Sequence, residues 1–374
     1  MKRIREKISF AMAVAVAVVT MAGCSGSNSS SVADSSDNTS TNVSEAAAEP
    51  TTIRVGIVTN TMGVPAAYAL ENGFYEEEGI NVEPVIFSTG SLVNEAFGAG
   101  EIDVAFSGLA SIFSLATGQA SWIGEINTTD GLGIYVRPDS PILEHKGEVS
   151  GYENVYGSAD TLRGITILGP LGNVAQYGAA NWLAIFGLTD QDASIVNMDY
   201  GPAYQAFISG EGDAVSVNNP YSFMLEADGY VCAATFEDAT KTQLYDGIFA
   251  STSFVENNRD AMVSFIRATY KAVDVLQDDA VRSAFSMEWF AENGKEYTQE
   301  TMDEEISLRR YIDSAFIQQP DFVFGEGMVT IADFYVNDGK ITEEGKELLP
   351  GQIDVTLLED ALGIDIATAG TAGT

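Results

Sequence analysis

Residues 96–107 read AFGAGEIDVAFS, and residues 206–217 read AFISGEGDAVSV. The offset is 110 positions. Ala-Phe, a Gly, a Glu and an Asp recur in register, followed by the same change from polar to apolar. The grammar is helix, glycine stop, acidic turn, strand. Glycine suits the stop because a chain leaving a helix commonly does so at positive φ. The apolar run that follows suits a strand covered on both faces. Each copy therefore predicts one β-α-β unit, and the two copies predict two α/β lobes.

The flanking sequence extends both units. TIRVGIVT predicts a first strand and NTMGVPAAYALENG a turn and helix. A second strand falls at Asn81–Phe87, and STGSLVNEAFGAG opens the helix of the first repeat. In the second half TLRGITILGP predicts a strand and LGNVAQYGAANWLAIFGL a turn and helix. In that helix Val174, Tyr177, Asn181 or Trp182, and Ile185 share a face, and Gly187 ends it. DASIVNMD predicts a strand, YGPAYQAFISG a helix, and EGDAVSVNNPYS a strand and loop. LYDGIFASTSFV predicts a return strand. Met262, Phe265, Ile266, Thr269, Val273 and Leu276 then form a helical packing stripe, and further helices follow. In such sheets ligands gather outside the carboxyl ends of the strands, so two matching lobes predict a clamp around a cleft.

The 374-residue chain is 45% hydrophobic, enough for a large core, and carries a net charge of −36. Residues 1–23 have the basic, apolar, small-residue order of a secretory signal. Removing them takes away four basic residues and Glu6, which leaves a mature chain near −39. Such a charge repels phosphate backbones and excludes nucleic acid as a partner. Residues 24–51, rich in Ser and Asn, predict a flexible tether. Two cysteines, Cys24 and Cys232, give no disulfide framework, and His145 is the single histidine. No metal site and no Ser–His–Asp set can be built from this inventory, so no cofactor is expected.

The stretch Met21-Ala22-Gly23-Cys24 resembles a bacterial lipobox, which implies cleavage before Cys24 and a lipid on its thiol. FYEEEGINVE, EAFGAGEIDVAFSG, DTLRGITILGP, WLAIFGL, AFISGEGDAVSVNNPY and NDGKIT, in that order, resemble the nitrate/sulfonate/taurine-type solute-binding proteins of ABC importers. That group includes thiamine-precursor-binding relatives. The resemblance covers about residues 52–360. It implies an α/β fold of the periplasmic-binding-protein type II class. Lobe one would take 52–135 and, with C-terminal helices, 240–374; lobe two would take 136–239. It implies a lipid-anchored, extracytoplasmic, monomeric protein that is not an enzyme, binds a small solute and delivers it to a membrane permease.

Carried over by motif, the resemblance places ligand-binding residues in the cleft loops. They are Asn60, Thr61, Ser88, Thr89, Gly90, Ser107 and Gly108 in lobe one. In lobe two they are Gly172, Asn173, Tyr200, Asn218, Asn219 and Tyr221. Tyr68 is added as a candidate stacking residue, and Phe106, Tyr177 and Tyr204 lie near the same loops. Asn173 stands where the family often has Ser, and Asn219 where it often has an acidic residue. These loops hold no Lys or Arg, so an oxyanion such as a sulfonate or nitrate would depend on helix-end N–H groups and hydroxyls. The aromatics favour instead an uncharged or aromatic organic solute such as an aminopyrimidine. Two other functions remain open: a lipid-anchored sensor or scavenger, and an enzyme like those that make the thiamine pyrimidine.

Overall fold

A computed structural model describes residues 50–371. The signal-like segment, Cys24 and nearly all of the expected tether lie outside the described residues.

Ten strands run β1 (Thr51–Val58), β2 (Ile80–Phe87), β3 (Val104–Ser107), β4 (Ala120–Thr128), β5 (Leu132–Val136), β6 (Thr166–Gly169), β7 (Ser194–Asn197), β8 (Ala214–Asn218), β9 (Val231–Thr235) and β10 (Tyr245–Ser251). They make two sheets of five. One has the order β2-β1-β3-β10-β4 and the other β7-β6-β8-β5-β9. The sheets match position for position. In each, three parallel strands are followed by one strand antiparallel to its neighbours. That antiparallel strand is exchanged: β5 follows directly on the first sheet but pairs in the second, and β10 returns the other way. The chain therefore crosses between lobes twice, at residues 129–131 and 236–244.

The repeat lies where the sequence predicts it, one copy in each sheet. The helices Gly90–Gly98 and Tyr200–Ile208 are followed by Gly100 at φ 72° and Gly210 at φ 101°, then by β3 and β8. The shared Asp has a mechanical reason. Asp103 Oδ2 accepts the backbone N–H of Arg54 at 3.0 Å, and Asp213 Oδ2 that of Thr166 at 2.8 Å. Each carboxylate pins the start of its strand to the strand beside it.

Two differences from the sequence reading concern elements. ASWIGEINT and LGIYV, assigned no element from sequence, are β4 and β5. Every residue of both is buried, but Ser121, Gly124, Glu125 and Asn127 break up the apolar signature of β4. Because β5 belongs to the second sheet, the crossing falls before Leu132 and not at 135/136. On the helix Val174–Ile185 Tyr177 and Trp182 of the expected face are buried, together with Ala175, Gln176, Gly178, Ala179 and Leu183, while Val174, Asn181 and Ile185 are only partly so.

The stripe on the helix Arg259–Val275 packs as its spacing predicts. Met262, Phe265, Ile266, Thr269 and Val273, with Leu276 just beyond, have no exposed surface. Burying each large apolar side chain there stabilises by roughly 1.5–3 kcal/mol. The helices Asp279–Glu292, Gln299–Leu308 and Ala332–Asn337 follow and return the chain to the cleft. Among the described residues no helix is long and apolar enough to cross a membrane.

Candidate functional site

The carboxyl ends of β1, β2, β3 and β8 meet across a cleft of about 570 Å³, its open mouth included. Lobe one contributes Asn60, Ser88, Thr89, Gly90, Ser107 and Gly108. Lobe two contributes Asn173, Val174, Tyr200 and Asn218. Thr129, Asp246, Lys295 and Arg309 add polar and charged groups, and Val58, Met62, Leu109 and Ala110 complete the lining.

The loops present donors. Asn60 and Asn173 each cap a helix through Oδ1, which accepts from Met62 N at 3.1 Å and Ala175 N at 2.9 Å. A capped N-terminus also carries partial positive charge. The oxygen of each amide is thus committed while its NH₂ faces no protein acceptor. Ser107 Oγ is buried and has no hydrogen-bond partner. Gly108 is required by close approach: a Cβ there would lie 2.3 Å from Asp246 Oδ1.

The charges come from parts of the chain that the motif reading did not reach. Arg309, at the end of the helix Gln299–Leu308, has a side chain only 5% exposed. Its NH1 lies 3.6 Å from Asp246 Oδ2 and its Nε 3.4 Å from Glu305 Oε1. Nε makes no hydrogen bond. Desolvation works against its charge, but Glu305 and Asp246 outweigh that effect and raise its pKa. Asp246 Oδ1 accepts from Thr129 Oγ1 at 3.1 Å and Oδ2 from Asn127 Nδ2 at 3.0 Å. Burial pushes its pKa up, with Arg309, Asn127 and Thr129 opposing. The Lys295 amine donates to the Thr59 carbonyl. Desolvation brings it down to about 8, helped by Arg309 and opposed by Glu305. The cleft thus holds two cations whose compensating carboxylates are partly engaged elsewhere. One sequence signal pointed here: Arg309-Arg310 is the single adjacent Lys/Arg pair after residue 50.

Five sequence candidates lie outside the lining. Tyr68 packs edge-on against Phe285 and Phe74 and is not part of the cleft lining. Tyr221 packs on Tyr204 at 5.4 Å between ring centroids. Gly172 sits at φ 72° under the Phe113 ring and donates its N–H to Gln176 Oε1 at 2.8 Å. Thr61 and Asn219 are buried one position from lining residues, and both donate to the Glu305 carboxylate. Of the other aromatics, Phe106 is core, and Tyr177 packs on Phe334 and Phe236. Tyr200 is the one aromatic in the lining.

Comparison with known proteins agrees with this architecture. Residues 46–289 match the model of the NMT1-like family. A Brachyspira hyodysenteriae protein carrying the name of an ABC transporter periplasmic binding protein is 32% identical over 321 residues, covering 85% of this chain and 92% of its own. Two solved structures share the fold. The alkanesulfonate-binding protein of Xanthomonas axonopodis pv. citri, bound to MOPS, has a TM-score of 0.60 at 19% identity and covers 83% of this chain and 98% of its own. The periplasmic nitrate-binding protein of Synechocystis has a TM-score of 0.63 at 15% identity and covers 86% and 93%. The chain belongs to the NMT1-like family and is a periplasmic substrate-binding protein of ABC-transporter type.

Proposed function

We propose that this NMT1-like protein captures a small, acceptor-rich anion between its lobes and hands it to an ABC permease. The observation that carries the reading is Arg309, a buried guanidinium on the cleft wall whose two carboxylate partners both stand at 3.4 Å or more. A planar fork of five N–H donors recognises carboxylate, sulfonate or phosphate groups bidentately. Lys295, the free amides of Asn60 and Asn173, and Ser107 Oγ add donors around it. Burying so many donors costs free energy unless an acceptor arrives. This reverses the lean from sequence toward an uncharged or aromatic solute. Organic sulfonates fit the donor set best, since their tetrahedral head offers three oxygens. Asn60, Ser88, Thr89, Gly90, Ser107, Gly108, Asn173, Tyr200 and Asn218 are the proposed contact residues from the loops.

Solute bound by both lobes favours the closed clamp by its differential affinity for that form. The permease then reads the closed shape. The lipobox-like Cys24 would carry the lipid, and residues 24–51 would give the clamp reach from the membrane.

Calorimetric titration of the full chain with MOPS, taurine, nitrate and an uncharged aminopyrimidine tests the solute class. The account expects at least one anion to bind and Arg309→Met to weaken it by a hundredfold or so, as loss of a buried charge-assisted pair predicts. Binding of the aminopyrimidine with no anion bound would overturn it.

A further inference from the structure

Glu305 touches both lobes. It lies in the last turn of the helix Gln299–Leu308, with a side chain 3% exposed. One carboxylate oxygen accepts from the hydroxyl of Thr61, in the loop after β1. The other accepts from the amide of Asn219, in the loop after β8. These loops belong to different sheets, and each donor adjoins a residue of the cleft lining, Asn60 or Asn218. The amide of Asn219 is held in orientation, because its Oδ1 accepts from Ser222 Oγ. Thr61 is held too, its carbonyl accepting from Tyr311 Oη at 3.2 Å. The oxygen facing Thr61 also faces Arg309 Nε.

We propose that Glu305 is a positioning residue that couples cleft closure to solute capture. Thr61 and Arg309 aim its carboxylate, and the amide of Asn219 closes onto it when lobe two swings in. The same contact fixes the Arg309 fork toward the cleft, so the shape that closes is also the shape that binds. Two further polar contacts bring the lobe-two helix start to the C-terminal helices. Gln176 Nε2 donates to Asp338 Oδ2 at 2.8 Å, and Tyr335 Oη to the Asn173 carbonyl at 3.3 Å. Neither involves a charged group facing a cleft cation. Glu305 differs because one buried carboxylate serves a loop of each sheet and the cation between them. This inference rests on the clamp reading above.

The test reads the lobe separation without solute. Azide-bearing residues at the exposed positions Asn81 and Ser194, one on the edge strand of each sheet, carry a donor and an acceptor dye in the full chain. Glu305→Gln keeps the shape but loses the charge and one acceptor. The expected result is a rise of about tenfold in the open-to-closed ratio, the worth of one hydrogen bond to a buried charge. Asn219→Ala should open the clamp as far, Thr61→Val less. Asn219→Ala should add nothing in the Glu305→Gln background, because both remove one contact. If Glu305→Gln does not fold, Asn219→Ala and Thr61→Val decide the matter. Titration with MOPS then separates the two readings. The apparent affinity should fall by the same factor as the closed population. Loss of affinity with an unchanged dye distance, or additive opening by the two variants, would overturn the coupling role. Opening as predicted with no binding of MOPS, taurine or nitrate would leave that role standing and remove the proposed solute class.

Discussion

The two copies of the repeat share a frame and differ at their ends. Both leave a helix through a positive-φ glycine and pin a strand with an aspartate. Beyond that point the first copy ends in Ser107-Gly108, folded onto Asp246 and the orphan hydroxyl of the cleft. The second puts Val217 in the core at the position matching Ser107, and Asn218 in the cleft at the position matching Gly108. What is repeated serves the sheet; what has diverged faces the cleft.

The sharpest way to break this comparison is at the matched pair 108 and 218. Gly108→Ala drives a methyl into the Asp246 carboxylate, which Thr129 and Asn127 hold in place, and should cost about 3 kcal/mol of stability. Asn218→Ala, with a side chain that donates to nothing in the protein, should cost under about 1 kcal/mol while weakening solute binding. Thermal melts of the two variants check this, and equal losses would deny the divergence. The matched aspartates should differ less. Asp103 holds the Arg54 backbone and, through Nε at 2.9 Å and NH2 at 2.5 Å, its guanidinium. Arg54 is 40% exposed, so the ion-pair share is screened by solvent. Denaturant melts should show Asp103→Ala losing about 2 kcal/mol and Asp213→Ala about 1 kcal/mol.

Titration sharpens the comparison further, because the cations of the cleft and a buried acid adjoin lobe one. Lys295 is charged below about 8 and neutral above it. Affinity for an anion should therefore fall as pH rises from 7 to 9, by several-fold in calorimetry, and Lys295→Met should flatten the profile. The smallest effect concerns Glu125 on β4. Burial raises its carboxyl to about 8, against accepted bonds from Gly325 and Trp122 that lower it. The native state therefore holds a proton that the unfolded chain, ionising near 4.5, has released. Its contribution to stability is full below about 4.5 and is lost as pH rises toward 8. In Glu125→Gln the melting temperature should decline less, by a few degrees, over that range.

The frame was legible in sequence because it is local. Helix periodicity, glycine stops and apolar runs gave both β-α-β units and the stripe from Met262 to Leu276. β4 escaped because polar residues that the core accommodates, such as Asn127 bonded to Asp246, break its pattern. The loop residues of the cleft were largely legible, since strand ends place them. Tyr68 was not, because nearness to a loop in sequence does not say which way a helix turns its ring. Asp246, Lys295 and Arg309 were not, because they reach the cleft from distant segments with no local motif, and Glu305 stands behind them. Their absence from the sequence reading is also why its lean on the solute differs from the anion proposed above.

In the proposed function both repeat ends face one solute. Hydrogen–deuterium exchange, with and without whichever of MOPS, taurine or nitrate binds most tightly, tests it directly. The account predicts protection of residues 88–91 and 107–110 together with 173–176 and 218–221, all at the same solute concentration. Protection confined to one lobe, or none in either with solute demonstrably bound, would contradict it.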